Sequence, residues 1–205
     1  MIAVVDYGVG NLFSLASSLK SVGADILVTG DARDLRNADR IVLPGVGAFA
    51  DAAAKLAVND LDQVLKEEAA KGKPIMGICL GMQMLFEKSY EYGEHTGLGF
   101  IPGSVRPISD VIDPSLKIPH IGWNALHFSE NRHPIFKDLN EGDFVYFVHS
   151  YYGADCAESI IATTEYSATL TAAVARDNVC GCQFHPEKSG EVGAKILKAF
   201  CEMKG

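Results

Sequence analysis

Four apolar runs, Ile2-Ala3-Val4-Val5, Ile26-Leu27-Val28, Ile41-Val42-Leu43 and Ile75-Met76-Gly77-Ile78, pass without an intervening polar residue. A strand with one wet face alternates apolar and polar positions, whereas a strand covered on both faces does not. The four runs therefore predict buried strands of a parallel sheet. Between them the period changes. Leu12, Leu15, Ala16, Leu19 and Val22 recur at three- and four-residue steps, and the alanine-rich stretch 49–70 is built of good helix formers. Strands alternating with helices predict an α/β fold with a doubly wound, mostly parallel sheet, right-handed crossovers and ligands at the carboxyl ends of the strands. Asp6, Pro44 and Cys79 stand at such ends.

From residue 93 to 153 the rhythm shortens to brief strands broken by Gly and Pro, which predicts an antiparallel or mixed extension near the site. Residues 160–182 read as two strands joined by a turn at Arg176-Asp177-Asn178. Val192, Ile196, Leu197 and Phe200 mark a closing amphipathic helix. No repeat or linker interrupts the 205 residues, so a single domain over 1–205 is expected.

Within this frame Gly77-Ile78-Cys79-Leu80-Gly81 puts a thiol between two glycines at the end of the fourth run. The unbranched residues after it, Leu80, Met82, Met84, Leu85 and Phe86, favour a helix. This is the thiol counterpart of the G-x-S-x-G turn. Its glycines relieve crowding at a strained bend, and a helix start aims free N–H groups and a positive dipole end at the sulfur. Both favour the thiolate, the reactive form. Far downstream, Phe184-His185-Pro186-Glu187 supplies an imidazole and a carboxylate. Proline biases His185 toward an extended conformation, in which residues two apart share a face. Glu187 is then able to hold one ring nitrogen while the other exchanges a proton with the thiol. A buried inert cysteine and a surface histidine form the plain alternative, and the joint presence of the two segments argues against it.

Charge narrows the partners. A net charge of −8 and a pI near 5.2 leave no basic footprint for nucleic acid or an anionic membrane. No apolar run approaches membrane-spanning length, and the N-terminus meets Asp6 after four apolar residues, as a strand does and a signal peptide does not. A cytoplasmic location is expected, in keeping with an odd count of five cysteines. Cys180, Cys182 and His185 invite a zinc reading. On an extended strand, however, the two cysteines share one face and His185 points to the other, so no metal is expected. Cys156 and Cys201 read as structural or incidental, and His95, His127 and His133 as solvated loop residues.

With the elbow, the His-Pro-Glu segment and the glycine loop Pro44-Gly45-Val46-Gly47 together, the chain resembles the class I (triad) glutamine amidotransferases, which share a flavodoxin-like α/β fold. More narrowly it is similar to the HisH family of glutaminase subunits in histidine biosynthesis. The likeness spans the chain, through Pro44-Gly45-Val46-Gly47-Ala48-Phe49, Gly77-Ile78-Cys79-Leu80-Gly81-Met82-Gln83, Pro119-His120-Ile121-Gly122-Trp123-Asn124, Tyr146-Phe147-Val148-His149-Ser150-Tyr151 and Phe184-His185-Pro186-Glu187-Lys188-Ser189-Gly190.

The resemblance implies that Cys79 attacks the side-chain amide of L-glutamine, giving a tetrahedral intermediate, a glutamyl thioester with release of ammonia, and then glutamate. It assigns the proton transfers to His185, the orientation of that ring to Glu187, and the oxyanion to the backbone N–H groups of Leu80 and Val46. Glycines flank Val46, so its peptide reorients freely, and an oxyanion hole completed only when the partner is loaded is expected. Gly47, Gln83, Glu91, Ser150 and Tyr151 are implied as glutamine contacts. Gln83, four residues after Cys79, shares the face of the nucleophile. No cofactor is implied. The ammonia acceptor is implied on a HisF-type (β/α)8 barrel, the cyclase subunit of imidazole glycerol phosphate synthase, in a heterodimer with Asn11, Trp123, Tyr146 and Lys188 at the interface. A core position competes for Trp123. His120 and His149 are expected to be structural hydrogen-bonding groups. A glutaminase of another class I complex, or a catalytically silent regulatory module of the same fold, stands beside this reading.

Overall fold

The computed structural model describes residues 1–203. In chain order the elements are β1 (Ile2–Val5), α1 (Leu12–Ser21), β2 (Ile26–Thr29), α2 (Ala32–Asn37), β3 (Arg40–Leu43), α3 (Phe49–Val58), α4 (Leu61–Ala70), β4 (Ile75–Ile78), α5 (Leu80–Met84), β5 (Phe86–Ser89), β6 (His95–Thr96), β7 (Ile101–Pro107), β8 (His120–Ala125), β9 (His127–Phe128), β10 (Phe144–His149), β11 (Tyr151–Ala154), β12 (Ile160–Glu165), β13 (Thr169–Arg176), β14 (Val179–Cys182) and α6 (Gly190–Glu202). Eight strands form the main sheet in the order β2-β1-β3-β4-β14-β13-β12-β9. The first five are parallel, and β13, β12 and β9 continue the sheet antiparallel. A four-stranded sheet, β11-β7-β5-β6, and an antiparallel ribbon of β8 and β10 supply the mixed extension.

The unbroken apolar runs serve two layers at once. Val4, Val42, Met76 and Ile78 pack with Leu15 and Leu19 of α1 and Ile196 and Phe200 of α6. Ala3, Val5, Ile41, Leu43 and Ile75 point the other way, toward Leu35, Leu56 and Leu65 of α2, α3 and α4. Each fully buried aliphatic side chain contributes about 1.5–3 kcal/mol, so burial on both faces, more than helix propensity, holds the sheet. Among the described residues no helix is long and apolar enough to cross a membrane.

Four local expectations change. The run at 26–28 is not doubly buried, because β2 is the edge of the sheet and Leu27 and Val28 are exposed. Stretch 49–70 is two helices, broken where Asp60 takes a left-handed φ of 52°. The sign of the break is Asn59-Asp60, two residues that favour turns and helix N-caps over a helix interior. The elbow helix α5 has only five residues. Phe86, a good helix neighbour by pattern, instead starts β5, and its ring is fully buried. Residues 160–182 form three strands, the extra turn passing through Ser167 at φ 57°.

Candidate active site

β3, β4 and β14 are adjacent and parallel, so the segments that follow them emerge at one edge. They are the Pro44 loop, Cys79, and the stretch from Gln183 to His185. Neighbouring strands lie about 4.8 Å apart, which brings together groups a hundred residues apart in the chain. Cys79 N donates to Cys182 O at 2.8 Å and fixes two of these ends to each other.

Cys79 adopts φ 54° and ψ −113°, a conformation that strains a residue with a Cβ. A Cβ on Gly81 would lie 1.9 Å from Leu43 O, and one on Gly77 would lie 2.5 Å from Gly81 O, so both glycines are needed for the bend to close. Because α5 is short, its influence on the sulfur is confined to its first-turn N–H groups. The thiol is buried, with Val148 O at 4.0 Å and Gln183 Nε2 donating to Sγ at 3.8 Å.

His185 is extended, at φ −102° and ψ 98°, as the following proline requires. Pro186–Lys188, however, is a 3-10 turn. That turn, rather than strand alternation, brings Glu187 Oε1 to 2.7 Å from His185 Nδ1. Burial works against a charged ring, but hydrogen bonding with Cys79 and with Glu187 outweighs it and raises the His185 pKa to about 9. The ring is therefore cationic at neutral pH beside the thiol. Glu187 Oε2 is buried and has no hydrogen-bond partner among the described residues. Ser189 Oγ donates to His185 O at 2.6 Å and accepts from Tyr146 N at 3.0 Å, tying the turn to β10.

A pocket of about 560 Å³ opens over these strand ends, lined by Cys79, His185, Val46, Gly47, Leu80, Gln83, Glu91, Ser150, Tyr151 and Lys188. A larger hollow of about 820 Å³ around Tyr152, Asp155, Cys156 and Arg176 contains none of them. Val46 is 43% exposed, and Gly47 has φ +95°, a value that favours glycine. Glu91 is buried: its Oε2 accepts from Phe49 N at 2.5 Å and caps α3 directly behind the glycine loop, where Ala48 offers no capping side chain. Gln83 Nε2 donates to Gln183 Oε1 at 3.0 Å and to Tyr151 O at 3.4 Å.

Two participants escape the sequence reading. Gln183 links Gln83 to the sulfur, and its position two residues before His185 was the available signal. Tyr7 follows Asp6 at the carboxyl end of β1, where its buried hydroxyl donates to Pro44 O at 2.7 Å and fastens the glycine loop. Burial and the nearby Cys79 raise its phenol pKa well above the ordinary value.

Outside the pocket, Trp123 is 52% exposed, which rules out the core position. It faces Tyr146 across the β8–β10 ribbon with ring centroids 6.0 Å apart, and Lys188 Nζ lies 5.9 Å from the Tyr146 ring. Asn11 is exposed at the start of α1, where its Oδ1 accepts from Ser14 N. Cys180 and Cys182 are core thiols whose pKa burial pushes up, and Cys156 is likewise buried. His133 is half-buried rather than solvated and its Nδ1 accepts from Ile135 N; His95 stacks on Phe49; exposed His127 pairs with Glu141. His120 and His149 are buried and hydrogen-bonded to each other, as expected for structural groups.

The chain matches known proteins over nearly its whole length. Residues 3–203 match the family model for class-I glutamine amidotransferases. Similar curated proteins include an imidazole glycerol phosphate synthase subunit HisH of Bacillus cereus, 49% identical over 98% of this chain and 93% of the relative. Another of the same description, from Caldanaerobacter subterraneus subsp. tengcongensis, is 48% identical over 99% of this chain and 98% of the relative. Among solved structures, a glutamine amidotransferase superposes with a TM-score of 0.77 at 16% identity, covering 98% of both chains. PurLQS from Thermotoga maritima gives 0.73 at 21% identity over 97% of this chain and 96% of that one. At such identities the structures speak for the fold alone. The family match and the two curated relatives together establish that this chain belongs to the class-I glutamine amidotransferases, in the group formed by the HisH subunits.

Proposed function

We propose that the chain hydrolyses L-glutamine at Cys79 and delivers the ammonia to a partner that consumes it. The thiolate attacks the amide carbon, and the oxyanion is held by the N–H of Leu80 and, once the loop turns, by that of Val46. His185 gives its proton to the departing amine, so ammonia leaves and a glutamyl thioester remains. Water then loses a proton to His185 and attacks the thioester, releasing glutamate and restoring the thiolate–imidazolium pair. Glu187 orients the ring throughout. Gly47, Gln83, Glu91, Ser150 and Tyr151 contact the glutamine backbone groups.

The partner in this reading is the HisF-type cyclase implied by the names of the relatives. It docks over Asn11, Trp123, Tyr146 and Lys188 and makes imidazole glycerol phosphate and the carboxamide ribotide by-product, in the cytoplasm. The supporting observation is the convergence of Cys79, His185 and the glycine loop on one pocket. Labelling with a diazo-ketone glutamine analogue tests it: peptide mapping is expected to find the adduct on Cys79. An unmodified Cys79, even with the cyclase and its nucleotide substrate present, favours the catalytically silent module.

A further inference from the structure

His149 forms part of the pocket wall and starts a chain of contacts through the β8–β10 ribbon. Its Nδ1 lies 2.8 Å from Tyr151 O and its Nε2 lies 3.0 Å from His120 Nδ1. His120 Nε2 is 2.9 Å from Asn124 Oδ1, and Asn124 Nδ2 is 2.9 Å from Glu165 O. Four contacts thus run in series between two backbone carbonyls, which only accept. Each contact needs one proton. Two neutral imidazoles supply one N–H apiece, and the Asn124 amide nitrogen faces only one of its two neighbours, which makes three donors for four contacts. Turning the amide over or exchanging ring tautomers moves the unmade contact along the chain and never removes it. One added proton on the histidine pair removes it.

Burial opposes that proton. It lowers the His149 pKa to about 4, with His120 and His185 adding repulsion, and it lowers His120 as well. The Tyr166 ring stacks on His120 with centroids 4.1 Å apart, and Cys79, Glu91, Tyr92, Tyr151 and Lys188 line the same pocket as His149. The missing contact therefore pulls toward the charged pair and burial pulls toward the neutral one, which leaves the decision to whatever charge enters the pocket.

We propose that the His120–His149 pair is neutral while the pocket is empty and takes up one shared proton when glutamine binds, completing all four contacts and fixing the Ser150–Tyr151 wall. This rests on the glutamine reading of the pocket. Glutamine is a zwitterion; with its α-ammonium taken by the Glu91 carboxylate that lines the same pocket, its α-carboxylate is left for the Ser150–Tyr151 wall, where the negative charge favours the cation. By reciprocity, glutamine binds more tightly as the pH falls through the interval between the pair's titration in the loaded and in the empty protein. His120 and His149 act as positioning residues, through the Tyr151 carbonyl.

The test is calorimetry of glutamine binding to the full chain carrying Cys79→Ala, in two buffers of different ionisation enthalpy near pH 7. The expected result is net uptake of a measurable fraction of a proton per glutamine. Adding Asn124→Leu leaves two contacts and two donors, so the uptake is expected to vanish. Asn124 is partly exposed and the change costs little packing. Nitrogen-15 spectra of labelled histidines give a second readout: three N–H among the four ring nitrogens in the loaded protein, and two after Asn124→Leu. Glutamine binding without proton uptake, or uptake that survives Asn124→Leu and so belongs to His185, overturns the proposal while leaving the glutaminase reading intact. No binding of glutamine at all overturns that reading and this one with it.

Discussion

Glu187 Oε1 meets His185 Nδ1 at 2.7 Å across Pro186 within a single 3-10 turn, so the ring and the carboxylate that orients it form one local unit. The unit is joined to β10 by Ser189, whose Oγ donates to His185 O and accepts from Tyr146 N. Its charge state has consequences for pH.

The folded state holds the His185 proton more tightly than the unfolded chain does, with a pKa near 9 against 6.5. Stability from the contacts of this ring with Cys79 and Glu187 together is therefore complete below pH 6.5 and is lost as the pH rises through about 9. It is on the order of 3 kcal/mol when complete. Glu187→Gln removes the charged partner and is expected to lower kcat about 100-fold or more. In urea unfolding, the stability gap between wild type and Glu187→Gln is expected at pH 6 and should largely close at pH 9.5.

The glycine loop is tested at its backbone. Val46→Pro removes the N–H assigned to the oxyanion and is expected to lower kcat about 100- to 1,000-fold with little change in the glutamine KM. Steady-state glutaminase assays with the loaded partner separate the two constants. An unchanged kcat excludes Val46 from the oxyanion hole.

Gln183→Leu removes the acceptor of the Gln83 amide and the donor to the sulfur. A stability loss of about 1–3 kcal/mol is expected from the broken buried pair. The glutamine KM is expected to rise several-fold, because Gln83 then has only the 3.4 Å contact with Tyr151 O to orient it.

Trp123 is half in solvent, so Trp123→Ala is expected to leave the melting temperature nearly unchanged. As an interface anchor it should cost about 2 kcal/mol of partner affinity, roughly 30-fold. Titration of the cyclase subunit measures this, and an unchanged affinity removes Trp123 from the interface.

The parallel strands and the elbow were legible because both faces of β1, β3 and β4 are covered and because only glycine fits at Gly77 and Gly81. Those are local signals. The diversion of Phe86 into β5 was not legible, since it is decided by pairing with Ile101 of β7, whereas the break at Asn59-Asp60 and the hairpin turn at Ser167, with Glu165 opposite Thr169, are local. The same holds within the site. Cys79, His185 and Glu187 announce themselves by residue type and neighbours, whereas Tyr7 gains its role when β1 is placed beside β3, and Gln183 when β4 is placed beside β14. Glu91 was legible as a position and not as a buried cap of α3.

The central claim is that the Cys79 sulfur is the nucleophile, and glutamine hydrolysis by wild type and Cys79→Ala, each with the loaded cyclase, tests it most directly. The account predicts that release of glutamate falls to the background rate in Cys79→Ala while the variant keeps its fold and its affinity for the partner. Glutamate release by Cys79→Ala at a rate comparable with wild type would contradict it.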